Sequence, residues 1–373
     1  MEKATVSSSN PNLATSDLLN AKRKLSSDFF KKGVFIAVLS GMCYGLYSAF
    51  LMKATGTGVW SQWYDPAQKA LSAFVVTYVL GALGSAINDT CSAVWCWIIA
   101  AGKGKLKDFF RCLKTKPGVV MICAALIGGP IASTAYVVAM QMAGSIVIPI
   151  TALCPAIGAV LGRVLFKQKL NGRMVFGIIV CVAASFMIGS TSIGSDAPSG
   201  RFLGVIIALI AALGWGIEGC IAGYGTSLID YEIGITIRQT TSGLTNLIIL
   251  VPVMCAMGGN FGLSLKLIGQ AISSGPAMIF FAISGFFAVF AYSLWYKGNS
   301  MCGAALGMAC NGAYSFWGPF FCWIVLGIGF GQKGWGLPAI AWIAAVVMVI
   351  GIFFIAVNPL DFFRKKEDSH AAA

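Results

Sequence analysis

One histidine stands in the 373 residues, His370, three residues from the end. That scarcity excludes histidine-based metal centres and a histidine general base, the usual device for acid–base work near neutral pH. Charge is also scarce: 10% of the residues are Asp, Glu, Lys or Arg, against about 25% in an ordinary soluble domain. The 12 cysteines include no C-x-x-C pair. They are scattered through apolar stretches, which fits buried small thiols and neither a disulfide framework nor a zinc site. No G-x-x-x-x-G-K-[ST] occurs, so nothing points to a nucleotide-driven pump.

What fills the chain is apolar: 58% of it is hydrophobic and 45 residues are glycine. Runs of about 20 apolar residues are long enough to cross a hydrocarbon core of about 30 Å, and such runs cover most of the sequence. The reading is an all-α integral membrane protein with ten spans, at 33–53, 71–101, 118–142, 145–166, 174–193, 202–227, 233–258, 276–297, 302–327 and 335–357. Residues 1–32 are polar and expected to be disordered at their start. The first apolar run, long and bulky, is a true first span and no cleavable signal.

The second half repeats the first. GVFIAVLSGMCYG (33–45) aligns without a gap on GVIIALIAALGWG (204–216). The organisation expected is a tail (1–32), a five-helix repeat (33–193), a linker (194–201), a second five-helix repeat (202–357) and a tail (358–373). Five is odd, so the second copy is inverted in the bilayer, an architecture of secondary transporters with the substrate site between the halves.

The net charge of +13 does not imply nucleic acid, because the basic residues sit in tails and loops. Lys103, Lys105, Lys107, Arg111, Lys114 and Lys116 occupy one loop, and Arg163, Lys167, Lys169 and Arg173 flank another. Lys22, Arg23, Lys24, Lys31 and Lys32 precede the first span, and Arg364, Lys365 and Lys366 follow the last. Ten spans put all of them on one side, which the positive-inside rule makes cytoplasmic. The expected location is therefore an inner, cytoplasmic membrane with both termini in the cytoplasm. Gly41 and Gly45, Gly158 and Gly162, Gly219 and Gly223, and Gly303 and Gly307 have the spacing that lets helices approach closely in lipid.

AYVVAMQMAGSIVIPITALCPAIGAVLGRVLFKQKLNGRMVFGIIVCVAASFMIG, from Ala135, and AYSLWYKGNSMCGAALGMACNGAYSFWGPFF, from Ala291, resemble the EamA-type repeat of the drug/metabolite transporter superfamily. The resemblance spans about 33–357 and implies two four-helix sets around a central cavity, with the fifth and tenth spans peripheral. One departure is Phe166-Lys167-Gln168-Lys169 and, in the second copy, Gln332, where the family often carries a glutamate. A narrower resemblance, to rhamnose-type sugar permeases, rests on GLYSAFLMKA (45–54) and VWSQWYDP (59–66).

Glu218 is the sharpest candidate for function. It lies about 15 Å deep in the sixth span, at 1.5 Å per residue, with Gly214, Trp215 and Ala222 on its helix face. An intramembrane carboxylate is a functional hypothesis by default: it binds a cationic or hydroxyl group of a substrate, or it titrates and couples a proton. The structural alternative is an ion pair with Arg238, itself either an anion-binding group or a snorkelling cation. Tyr47 is the repeat counterpart of Glu218, and Lys69 that of Arg238, as an interfacial anchor. Asn311 aligns with Pro155, and Tyr292 with Tyr136. Glu218, Trp215, Tyr47, Arg238, Asn311 and Tyr292 are thus the expected substrate-binding set. Packing and interhelical hydrogen bonding are the bland reading for Asn311 and the tyrosines. Asp89 is expected to be interfacial or structural, Trp60 and Trp63 to belong to an aromatic belt, and Pro149 and Pro155 to interrupt the fourth span.

The function expected is a secondary transporter that moves a small polar organic metabolite by alternating access, with proton coupling through Glu218 as one option and no cofactor. A rhamnose-type sugar permease is the alternative within the class. A passive channel lacks a repeated filter segment. An integral-membrane enzyme lacks the titratable groups for catalysis.

Overall fold

In hydrocarbon a chain must satisfy its backbone polar groups internally, which leaves the helix as its one local solution. The computed structural model describes residues 11–65, 67, 71–167, 171–191, 200–226, 228–302 and 304–356. Among these there is no strand. The helices of the first half are α1 (Pro11–Thr55), α2 (Val59–Trp63), α3 (Leu80–Gly102), α4 (Leu106–Cys112), α5 (Lys116–Leu126), α6 (Thr134–Ala143), α7 (Val147–Thr151), α8 (Cys154–Phe166) and α9 (Gly172–Ser190). Those of the second half are α10 (Arg201–Thr226), α11 (Tyr231–Thr245), α12 (Val251–Met257), α13 (Leu263–Ser273), α14 (Gly275–Cys302), α15 (Ala304–Asn311), α16 (Tyr314–Cys322) and α17 (Ala339–Ala356). Wider, π-type turns join several of them, at Val75–Val79, Ile127–Ser133, Asn246–Leu250 and Trp323–Gly329.

Five stretches are long and apolar enough to cross a membrane: Lys31–Thr55, Lys116–Thr151, Arg201–Gly223, Tyr231–Met257 and Gly275–Met301. Gly172–Ile188, Tyr314–Gly329 and Ala339–Ile355 are shorter apolar helices. Their outward faces carry Phe35, Ile179, Phe186, Ile248 and Ile343, all exposed. So wide an apolar exterior suits lipid and would aggregate in water.

The structure redraws several expected boundaries. The first helix begins at Pro11, well before Gly33. The intervening Leu, Ala, Lys and Arg are strong helix formers and extend the span outward. Residues 1–10, where disorder was expected, lie outside the described residues. So do Lys69, most of the linker, Lys169, Gly303, His370 and the C-terminal basic residues. The fourth span is interrupted between Thr151 and Cys154, as Pro149 and Pro155 foretold. The ninth, expected to be continuous over 302–327, is interrupted too, between Asn311 and Tyr314, where Gly312 weakens the helix. Trp60 is 0% exposed, packed on Trp63 and Phe281. These rings fill the core beneath the end of α1, and the belt expectation is corrected.

Helices pack across the halves. α1 lies along α14 and touches α15 and α16; α10 lies along α6 and α8; α3 pairs with α11, and α9 with α17. α1 and α14 run antiparallel: Gly298 abuts Ala37, while the Ser274 hydroxyl accepts from Val59 N at 3.3 Å.

Candidate functional site

α10 and α11 bring Glu218 and Arg238 together in the middle of the bundle. Asp230 caps α11, its Oδ1 accepting from the backbone N–H groups of Glu232 and Ile233 at 2.9 and 3.4 Å. That start sets the register of the helix and places Arg238 two turns inward. Arg238 Nε donates to Glu218 Oε1 at 2.9 Å, and both side chains are 0% exposed. The guanidinium is fully engaged. Nη1 donates to Gln239 Oε1 at 2.7 Å, and Nη2 lies 3.3 Å from the Gly128 carbonyl, 3.4 Å from Ser133 Oγ and 3.4 Å from Glu218 Oε2. The Tyr292 ring stacks on its face at 4.1 Å, a cation–π contact.

This arrangement depends on the wide turn at Ile127–Ser133, which contains Gly128, Gly129 and Pro130. The Gly128 carbonyl there accepts from Ser133 Oγ at 2.9 Å, from Trp215 Nε1 at 3.2 Å and from Arg238. A Cβ on Gly128 would meet Glu218 Oε2 at 1.9 Å, and one on Gly129 would meet Ser242 Oγ at 1.9 Å. Only glycine lets this turn approach α10 and α11 so closely.

An aromatic group adjoins the ion pair. Tyr44 stacks on Tyr314 at 4.2 Å and meets Tyr47 and Trp215 edge-on at 5.2 and 5.9 Å; Trp215 lies 5.2 Å from Tyr136. Tyr44, Trp215, Tyr292, Trp295, Asn311 and Tyr314 line a small space of about 20 Å³, room for roughly one water. Trp295 Nε1 is buried at its edge without a hydrogen-bond partner. Asn311 Nδ2 donates to Ser40 Oγ at 2.5 Å, which ties the interrupted ninth segment to α1.

All six residues expected to bind substrate therefore lie in one central region, and the Glu218–Arg238 pair, held open as an alternative, is the arrangement found. Of the two roles expected for Asp89, interfacial or structural, the position found is not the interfacial one. It is 2% exposed, deep in α3, and accepts from Ser242. α3 and α11 share a polar seam in which Gln239 Nε2 donates to Ser92 Oγ at 2.7 Å, Ser242 to Asp89, and Asn246 Nδ2 to Ser85 Oγ at 3.5 Å. Sequence reasoning missed this seam and the Gly128–Gly129 turn. The signal was present: Ser85, Asn88, Asp89 and Ser92 recur at i, i+3, i+4 and i+7, one helix face.

Two larger cavities lie at opposite ends of the bundle. One, about 310 Å³, is lined by Met52, Thr55, Tyr64, Gln141, Gln332 and Trp335, among others. The other, about 420 Å³, is lined by Cys96, Lys103, Tyr231, Glu232, Thr236 and Lys297, among others. Ion pairs bridge the rim of the second: Lys103 with Glu232, and Lys105 with Asp230 at 3.0 Å and with Glu232 at 2.6 Å.

No family model matches the chain, and no curated protein matches it. Solved structures do match. One, described only as a crystal structure of a protein, is 16% identical, with 86% of this chain and 97% of that chain covered and a TM-score of 0.45. That likeness is too distant to specify a fold or an activity.

Proposed function

We propose that this protein is a secondary transporter of a small polar organic solute, built from two inverted five-helix repeats that form ten spans around a central site. The observation that carries the reading is the small aromatic-lined space, about 20 Å³ in volume, between two larger cavities at opposite ends. Its walls come from both halves: Tyr44 and Cys154 from the first, Trp215, Tyr292, Trp295, Asn311 and Tyr314 from the second. A narrow centre flanked by a wider cavity on each side is what alternating access needs between its two open forms.

The packing supports the repeat. The first helix of each half lies on the third and fourth segments of the other half, the two second segments pair, and so do the two fifth. That exchange is the pattern of a pseudo-two-fold axis in the membrane plane. The resemblance to the EamA-type repeat belongs to the same proposal. The basic loop at 102–117 and the ion pairs of Lys103 and Lys105 then mark the cytoplasmic end, and the Gln141–Gln332 cavity the outer one.

The aromatic rings offer faces to a solute's apolar edges, while Trp295 Nε1 and Asn311 offer polar contacts. The test is counterflow in proteoliposomes preloaded with members of a metabolite panel. Saturable, trans-stimulated flux of at least one solute is expected. Flux that never saturates would make the protein a channel, and turnover of a lipid would make it an enzyme.

A further inference from the structure

The buried network holds two acids and one base. Among the described residues in it, Arg238 is the only cation and Glu218 and Asp89 are the carboxyls. Arg238 spends its donors on Glu218, Gln239, Gly128 and Ser133, and none reaches Asp89. Asp89 has neutral partners alone: the Ser242 hydroxyl at Oδ2 and the Asn88 amide, 3.4 Å from Oδ1. The Ser284 hydroxyl of α14 lies 2.6 Å from the Asn88 amide oxygen and 3.0 Å from the Tyr47 carbonyl, so this neutral cluster ties α3 to α14 and α1. An ionised carboxylate buried without a cation is far too costly to persist, so it neutralises or finds a counter-charge.

Among the described residues the one cation facing it, Arg238, is already paired with Glu218, and the packing leaves little room for another. A Cβ on Gly243 of α11 would meet Thr90 N at 3.0 Å, and one on Gly285 of α14 would meet Ser92 N at 2.8 Å. These two glycines clasp α3 on both sides of Asp89. The titratable and charged groups facing it are Arg238 from α11, Tyr292 from α14 and Tyr47 from α1. The π turns Ile127–Ser133 and Asn246–Leu250, also packed on α3, contain none. α6 carries Tyr136, α12 Cys255 and the Val75–Val79 turn Tyr78. Among the described residues no set of His, Cys, Asp and Glu is arranged to hold a metal ion.

We propose that Asp89 is a proton-binding site: its carboxyl is protonated in the packed arrangement seen here and exchanges that proton when α3 and α11 separate. This inference rests on the transporter reading for the exchange step and deepens it. It moves the coupling carboxyl from Glu218, locked against Arg238, to Asp89. Chemically, an O–H bond forms at Oδ2 with a proton delivered by hydronium, and water is left behind. Ser242, whose single hydroxyl hydrogen serves either direction, turns from donor to acceptor. Release reverses these changes, and no other bond is made or broken. The 420 Å³ cavity approaches from one end: Cys96, seven residues along α3 and about 10 Å away, lines it together with Thr236 of α11.

The experiment is pH-difference infrared spectroscopy of the full chain in phosphatidylcholine vesicles, which reads the C=O stretch of a protonated carboxyl. Wild type is expected to show that band in its folded state, and to lose it as rising pH strips the proton. Asp89→Asn is expected to lack it. A band that survives in Asp89→Asn overturns the assignment. So does the absence of any band in the wild type, above all if sodium then raises its unfolding temperature and takes the place of the proton. Should Asp89→Asn not fold, Ser242→Ala answers the same question, because loss of its hydrogen bond shifts an Asp89 band to higher frequency and an unmoved band refutes the site. No solute enters this measurement. A missing band refutes the proton site and leaves counterflow intact, whereas missing counterflow refutes the carrier and leaves the band.

Discussion

Arg238 reaches across from α11 to Glu218 on α10, Nε to Oε1 at 2.9 Å, with neither side chain exposed to solvent. A buried pair of this kind is a weak source of net stability but a strong source of specificity, because each charge is tolerable only in the other's presence. Glu218→Gln leaves the guanidinium uncompensated and is expected to cost about 3 kcal/mol. Replacing both residues with apolar side chains of similar volume is expected to recover most of that loss. Thermal unfolding in detergent of each single apolar replacement and of the double one, arranged as a double-mutant cycle, measures the coupling. A Glu218→Gln protein that unfolds at the wild-type temperature would show that the pair does not couple.

Gly128 is the second lever on the same pair. A methyl group there would sit 1.9 Å from Glu218 Oε2, so the turn must retreat or the carboxylate must leave Arg238. Gly128→Ala is expected to cost about 1–3 kcal/mol, the usual range for an overpacked core. Gly102→Ala, where a Cβ meets nothing within 4 Å, is the control and is expected to be neutral. Equal unfolding temperatures for the two variants would remove Gly128 from the site.

The helices and most of their ends were legible because apolar length and basic loops are written locally. Glu218 stood out because a carboxylate in an apolar helix has no bland explanation. Asp89 did not, although the chemistry is the same. Asn88, Asp89 and Thr90 look like the frayed end of an overlong segment until α11 presents Ser242 to Asp89 and Gln239 to Ser92, one turn further on. Gly128 was equally silent, since the need for a glycine arises from Glu218, 90 positions away in the chain. Tertiary partners created these meanings, and one sequence does not record which helix lies beside which. The interruption at Gly312 was missed for a related reason: a lone glycine in a membrane span is tolerated as often as it breaks the helix.

The Lys103, Lys105, Asp230 and Glu232 cluster predicts a salt- and pH-dependent contribution to stability. Its side chains are partly solvated, with Lys103 51% and Glu232 11% exposed, so water screens it and about 1 kcal/mol is the ceiling expected for Glu232→Gln. The difference from wild type should shrink in 1 M salt, where the screening length falls to about 3 Å. Burial pulls the Lys105 ammonium's pKa down, but its hydrogen bonds to Glu232 and Asp230 outweigh that and hold it above the ordinary lysine value. A raised folded value means that the stabilisation is complete at every pH below the unfolded lysine's value. It is lost only as pH climbs through the folded one. Lys105→Met is therefore expected to differ from wild type by a constant amount at neutral and mildly alkaline pH, with the gap closing in strong alkali. A gap that instead closes on mild alkalinisation would contradict the cluster.

The two-sided arrangement makes a separate demand on topology. Lys107 stands at the start of α4, within the basic 102–117 segment, and Lys333 at the rim of the opposite cavity, and both are exposed. Ten spans with an inverted second half require these positions on opposite faces of the membrane, with Lys107 inside. A membrane-impermeant maleimide applied to intact cells is expected to label Lys333→Cys above the background of the parent chain. Lys107→Cys should be labelled only after the membrane is opened. Labelling of both from outside would break the inversion between the halves. Labelling of Lys107→Cys alone from outside would keep the inversion and reverse the whole protein in the bilayer, placing the six basic residues of the 102–117 loop on the side where the positive-inside rule forbids them.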